Sequence, residues 1–238
     1  MTTPKQYIIA NWKMHTPPMP AWVQTVAMVC IDDDVQVVVC PPFTRLSAGQ
    51  MVLTNTPIAM GGQDCHAQEE GAFTGDVSAK MLRQCGCEFV ILGHSERREH
   101  HGETNEQVKA KAETALEHGL VPVICIGESA QEREGGNTLP VIERQIAESI
   151  PQSDEEMVIA YEPIWAIGSG KTPTLEEVAE VHDFIKKQLH KPLPVVYGGS
   201  VKPANASEIL AIDHVDGVLV GGASLDGESF AGIIKAVG

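Results

Sequence analysis

The stretch Met157-Val-Ile-Ala-Tyr-Glu-Pro-Ile-Trp-Ala-Ile-Gly-Ser-Gly-Lys171 decides how the chain is read. Met157–Ala160 is a short apolar run without alternation, the pattern of a strand buried on both faces. Glu162 stands just past its end, and a proline follows at once. An apolar segment then closes on Gly168 and Gly170, which tolerate hinge dihedrals. An ionisable side chain at a strand mouth, followed by a segment hinged at both ends, is the layout of a base beneath a lid. Read alone, the segment is equally a strand-to-helix connection whose glutamate caps a neighbouring group.

Outward from this point the same cadence repeats. Short β-branched runs recur at Tyr7–Ala10, Val35–Cys40, Ile58–Met60, Phe89–Leu92, Val121–Ile126, Val195–Tyr197 and Val218–Val220. Helical patterning fills the intervals. Thr104 with Gln107 forms a capping box and Gly119 stands at the C-terminal end of the same helix, while Thr174 with Glu177 starts another just after Pro173. Strands alternating with helices, with no linker or low-complexity tract, predict one parallel (β/α)8 barrel domain over residues 1–238. An open doubly wound sheet would usually carry a dinucleotide glycine fingerprint after its first strand, but that strand runs into Asn11-Trp-Lys-Met14.

In a parallel barrel the C-terminal strand ends converge on one face. Here they carry Asn11 and Lys13, Gln63 and Asp64, His94-Ser-Glu96, Gly127-Glu128, Glu162, Gly198-Gly-Ser200 and Gly221-Gly222. A cation, an imidazole, a carboxylate and glycine-rich turns thus fall together. Glycines let backbone N–H groups approach an anion, so the turns imply a bound phosphate.

Composition narrows the partners. The formal net charge is −15 at pH 7, with 43% hydrophobic and 5% aromatic residues. That balance argues against nucleic acid and against an anionic membrane surface, both of which need clustered Lys and Arg. An anionic small substrate must be drawn by local groups. No basic-plus-apolar leader and no membrane-length apolar run is visible, so the expected location is cytoplasmic. The six cysteines are scattered, and Cys85-Gly-Cys87 is the tightest spacing. With His66, His100 and His101 it falls short of the paired ligands of a zinc site, so buried reduced thiols and no metal are expected.

The motifs Asn11-Trp-Lys-Met14, Gly71-Ala-Phe-Thr-Gly75, Gly93-His-Ser-Glu-Arg-Arg98, Cys125-Ile-Gly-Glu128, Tyr161-Glu-Pro-Ile-Trp-Ala-Ile-Gly168, Tyr197-Gly-Gly-Ser-Val201 and Val220-Gly-Gly-Ala-Ser224 occur in this order. Together they resemble the triosephosphate isomerase family over essentially the whole chain. The resemblance implies a single-domain TIM barrel that interconverts dihydroxyacetone phosphate and D-glyceraldehyde 3-phosphate through an enediol(ate), in glycolysis and gluconeogenesis, without cofactor or metal.

It also implies roles. Glu162 would be the base and His94 the electrophile, for which this family is the standard case of a neutral imidazole at a helix start. Lys13 would neutralise developing charge, Asn11 would hydrogen-bond substrate or Lys13, and Glu96 would orient Lys13 or relay protons. Backbone N–H groups around Gly168, Ser200, Gly221 and Gly222 would hold the phosphate. Pro163, Ile164, Trp165, Ala166, Ile167, Gly168, Ser169, Gly170 and Lys171 would form the lid, again a property for which this family is the standard example. Gly71–Gly75 would insert into a partner subunit, bringing Thr74 near that partner's Asn11 and Lys13. A homodimer is implied, with a tetramer left open.

The chain departs from the family pattern in several places. Ser169 replaces the commoner Thr, and Pro173 lies just past Lys171. His15, Asp64 and Asp76 stand where Asn, Asn and Glu are common, and the segment between Thr174 and Tyr197 is short. Other readings differ at identifiable residues. Gly168-Ser-Gly-Lys-Thr172 resembles the end of a P-loop, but the first glycine of that motif would fall on Trp165. A different phosphate-binding barrel enzyme would not be expected to combine Asn11, Lys13, His94 and Glu162. A non-catalytic barrel scaffold would be expected to have lost them.

Overall fold

The computed structural model describes residues 6–29, 32–167 and 172–237. Eight parallel strands close into a barrel in sequence order: β1 (Gln6–Asn11), β2 (Val35–Cys40), β3 (Ile58–Gly62), β4 (Phe89–Leu92), β5 (Val121–Ile126), β6 (Val158–Tyr161), β7 (Val195–Tyr197) and β8 (Gly217–Val220). Closure is made by β1 on β8, with Ile8 opposite Val218 and Ala10 opposite Val220. Every expected apolar run is a strand, or overlaps one with its ends shifted. The ladder extends past the apolar residues to Asn11 and Gly62, because strand bounds follow backbone pairing rather than side-chain hydrophobicity.

Alternation along each strand divides the core into two layers. Tyr7, Ile9, Val38, Phe89, Ile91, Val123, Val158, Val196 and Leu219 fill the barrel interior. Ile8, Val37, Val90, Leu92, Ile124, Ile159, Val195 and Val218 face the surrounding helices. Both sets are apolar, so the sequence shows runs instead of a period of two. Gly217 is required by this closure. Its φ is +144°, and a Cβ there would lie 2.0 Å from the carbonyl oxygen of Tyr7.

The helices that cover the barrel are α1 (Met19–Ala27), α2 (Leu46–Leu53), α3 (Ala79–Gln84), α4 (Ser95–His101), α5 (Asn105–Glu117), α6 (Ala130–Glu134), α7 (Thr138–Ser149), α8 (Leu175–Gln188), α9 (Ala206–Leu210) and α10 (Gly227–Ile234). The capping boxes of Thr104 with Gln107 and Thr174 with Glu177 are both formed, and Gly119 takes a left-handed φ of +69° just beyond α5. No described helix is long and apolar enough to cross a membrane.

On α8, His182 is fully buried between β6, β7 and the helix layer. Its Nδ1 donates to the His214 carbonyl at 3.0 Å, and its ring meets Tyr161 edge-on at 5.8 Å between centroids. Nε2 has no partner among the described residues. Burial, the dominant influence, pushes its pKa down to about 4.

The described thiols are all free: Cys40, Cys65, Cys87 and Cys125 are buried, and Cys85 is half-buried. Burial raises the pKa of each of the four buried ones.

Candidate active site

The strand ends surround a cavity of about 520 Å³. Asn11, Lys13, His94, Glu96, Glu162, Ser200, Gly221 and Gly222 all line it, so the expected catalytic and anion-binding residues converge on one opening.

Glu162 leaves the end of β6 and is buried, with 2% of its surface exposed. Its Oε2 accepts from the Ser95 N–H at 2.9 Å, and Oε1 lies 2.9 Å from His94 Nε2. Glycines make room for it. A Cβ on Gly127 would lie 1.7 Å from the Glu162 carbonyl oxygen, and one on Gly198 would lie 2.9 Å from Glu162 Cγ. The Gly127-Glu128 turn therefore packs behind the base and does not line the cavity, unlike the turns at Gly198 and Gly221.

His94 is the N-cap of α4, and its Nδ1 accepts from the Glu96 N–H at 3.2 Å. An accepting Nδ1 leaves the proton on Nε2, aimed at Glu162. The buried pair shifts in opposite senses. Burial disfavours the charged imidazole, but the neighbouring Glu162 carboxylate outweighs it and raises the His94 pKa. Burial likewise disfavours the Glu162 carboxylate, yet His94 and the Ser95 N–H prevail and hold its pKa below the ordinary value.

Lys13 has a left-handed φ of +51°, which is strained for a residue with a side chain. Two bonds fix it. Its N–H donates to Asn11 Oδ1 at 3.0 Å, and its carbonyl accepts from Gln63 Nε2 at 2.9 Å. The same Gln63 nitrogen donates to the Cys40 carbonyl at 2.8 Å. The Lys13 ammonium lies 2.5 Å from Glu96 Oε1, beside Gly221, where a Cβ would come within 3.2 Å of Lys13 Cε. Ser224, fully buried, donates its hydroxyl to the Gly221 carbonyl at 2.7 Å and so holds the second glycine turn.

Of the expected lid, Ile164–Ala166 forms a 3-10 turn, and Ile164 and Ile167 line the cavity. Gly168, Ser169, Gly170 and Lys171 lie outside the described residues, so the hinge glycines and the phosphate contact at Gly168 do too. Glu128, fully buried, anchors the described part. It accepts from Trp165 Nε1 at 2.9 Å, from the Tyr161 hydroxyl at 3.2 Å and from Arg133 Nη1 at 3.2 Å. Thr74 is exposed on the loop after β3 and does not join the cavity of its own chain.

Gln63, Glu128, Ser224 and Arg98 have structural duties at the site for which sequence spacing gives no role. Arg98 donates to the Gly93 carbonyl at 2.8 Å and to the Cys125 carbonyl at 3.2 Å, holding the peptide that precedes His94. Gln63 and Glu128 stand at strand ends and Arg98 and Ser224 within the matched motifs, which was the available signal. Their duties depend on partners far away in the chain.

A closed parallel barrel with a buried carboxylate–imidazole pair, a cation and two glycine turns on one opening defines an acid–base enzyme of the (β/α)8 class acting on an anionic substrate. The triosephosphate isomerase family profile matches residues 6–237. A triosephosphate isomerase of Ruegeria sp. (strain TM1040) is 50% identical over 237 residues, covering 95% of this chain and 96% of the relative. One of Chelativorans sp. (strain BNC1) is 46% identical, covering 99% and 98%. The crystal structure of triosephosphate isomerase from Bartonella henselae is similar with a TM-score of 0.89 and 38% identity, over 98% of each chain. The chain belongs to the triosephosphate isomerase family.

Proposed function

We propose that this chain interconverts dihydroxyacetone phosphate and D-glyceraldehyde 3-phosphate by moving one proton between adjacent carbons. The observation that carries this reading is the Glu162–His94 pair, 2.9 Å apart at the floor of a cavity edged by glycine turns. Glu162 is the base. With its pKa held low it is ionised at neutral pH, and its backbone is wedged against Gly127, so the carboxylate moves only by side-chain rotation. A short, fixed lever suits a proton taken from one carbon and returned to the next.

The substrate enters between Glu162 and His94, and the carbonyl oxygen takes the Nε2–H that Glu162 now accepts. Separation from the carboxylate removes the largest influence that raises the His94 pKa, and the Glu96 carboxylate that remains is opposed by Lys13. Burial and the Glu96 N–H remain, and both favour the neutral ring. A neutral imidazole then donates its proton to one oxygen of the enediolate and recovers one from the other. Lys13 balances the negative charge that develops on the substrate, while Asn11 and Glu96 hold its backbone and its ammonium. Backbone N–H groups at Ser200, Gly221 and Gly222, with Gly168 from the lid, receive the phosphate. Residues 163–171 cover the enediolate, keeping water out while phosphate elimination competes.

The enzyme works without cofactor or metal, as a cytoplasmic homodimer. Self-association is supported by exposed apolar side chains at Met14, Phe43, Phe73 and Met81. Thr74 follows Phe73 on the loop that would reach the partner's Lys13 region.

A coupled assay with both triose phosphates tests the reading. The wild type is expected to isomerise in both directions, and Glu162→Gln to lose roughly three orders of magnitude or more in kcat. No wild-type activity on either substrate, or an unimpaired Glu162→Gln variant, would refute it.

A further inference from the structure

The cavity presents an electrostatic problem. The chain carries a formal charge of −15, and its ligand is a phosphate. Of the charged side chains lining the opening, Glu162 is paired with His94 and Glu96 with Lys13. Two charges are left at the rim, Glu99 and Lys202. The Lys202 side chain is exposed and makes no ion pair or hydrogen bond among the described residues. Many other described cations in this acidic protein are engaged: Lys80, Arg97, Lys111, Arg133, Arg144, Lys186 and Lys187 pair with carboxylates.

The position of Lys202 is held by its neighbours. The Lys202 N–H donates to Asn205 Oδ1 at 2.7 Å, and Asn205 Nδ2 donates to the Ser200 carbonyl at 3.0 Å. One side chain therefore fixes the loop on both sides of Val201, keeping the lysine two residues from the glycine turn that ends in Ser200. Lys202 thus lines the same opening as the glycine turns at Gly198 and Gly221.

We propose that Lys202 is a guide for the anionic substrate: it speeds capture of the phosphate by offsetting the repulsive field of the chain, and takes no part in proton transfer. This rests on the isomerase reading above. Focused fields of this kind raise association rates by ten-fold or more and are screened by salt.

The test compares wild type, Lys202→Gln and Lys202→Glu, with Lys235→Gln as a control at the far end of α10. At low ionic strength, kcat/KM is expected to fall about five-fold in Lys202→Gln and further in Lys202→Glu. The gap should close to less than two-fold near 0.5 M salt, where the Debye length is roughly 4 Å. Lys235→Gln should track the wild type, and kcat should change by less than two-fold throughout. Inorganic phosphate affinity, measured by calorimetry, supplies a readout independent of turnover. It should weaken in Lys202→Gln at low salt and converge with the wild type at high salt. Identical salt dependences of Lys202→Gln and wild type in both measurements, or a loss confined to kcat, would overturn the proposal while leaving the isomerase reading intact. A wild type that binds phosphate with the predicted salt dependence but turns over neither triose phosphate would refute only that reading.

Discussion

His182 gives a pH dependence whose size can be worked from the fold. In the native protein the ring is buried, Nδ1–H is spent on the His214 carbonyl, and Nε2 faces no donor among the described residues. A proton on Nε2 would be a desolvated charge, so the folded chain releases it down to about pH 4, whereas the ordinary value is 6.5. Between these values the unfolded chain binds the proton and the folded chain does not, so stability is lost as pH falls from 6.5 towards 4. The full interval corresponds to about 3 kcal/mol at roughly 1.4 kcal/mol per pH unit, and about 2 kcal/mol of it is lost between about pH 7 and pH 5. His182→Gln keeps a donor for the His214 carbonyl and removes the titration. Urea unfolding at the two pH values and one protein concentration measures the effect. The wild type should lose about 2 kcal/mol more than the variant, because other titrating groups cancel in the difference. Equal losses in the two proteins would refute the argument.

Two further substitutions probe how the site is held. Gly127→Ala places a methyl group where the Glu162 carbonyl oxygen now sits, which forces the ends of β5 and β6 apart; kcat should fall about 100-fold, as expected for a displacement on the order of 1 Å, and a near-native rate would contradict the packing. Gln63→Leu removes both bonds that tie the Lys13 and Cys40 carbonyls, so thermal unfolding and steady-state kinetics should show roughly 1–3 kcal/mol of lost stability and a several-fold higher KM.

The barrel was legible because its chemistry is local. Runs such as Val35–Cys40 and Val121–Ile126 are apolar on both faces only when a sheet is covered inside and out, and the capping boxes at Thr104 and Thr174 mark helix starts within four residues. The site residues were legible for a related reason: once the strands are parallel, whatever follows each strand shares one face, and Lys13, His94 and Glu162 need no further information to meet. Contacts between distant segments were not. Nothing near Gln63 in the sequence says that it reaches the Lys13 carbonyl, and nothing near Glu128 says that a buried carboxylate collects donors from Tyr161, Arg133 and Trp165. The third glycine turn illustrates the same limit. Gly127 looks like the glycines that face a phosphate, but its closeness to the Glu162 backbone places it behind the base, where its task is to be small.

The Glu128 anchor also makes the protein its own optical instrument. Of its three tryptophans, Trp12 and Trp22 are sealed in the helix layer and stacked edge-on at 5.3 Å. Trp165 alone is partly open to solvent, with its indole N–H on a carboxylate and an arginine 4.4 Å above its ring. With two tryptophans sealed from solvent and one at the start of the proposed lid, the proposed closure would be read as a change in intrinsic emission without any label.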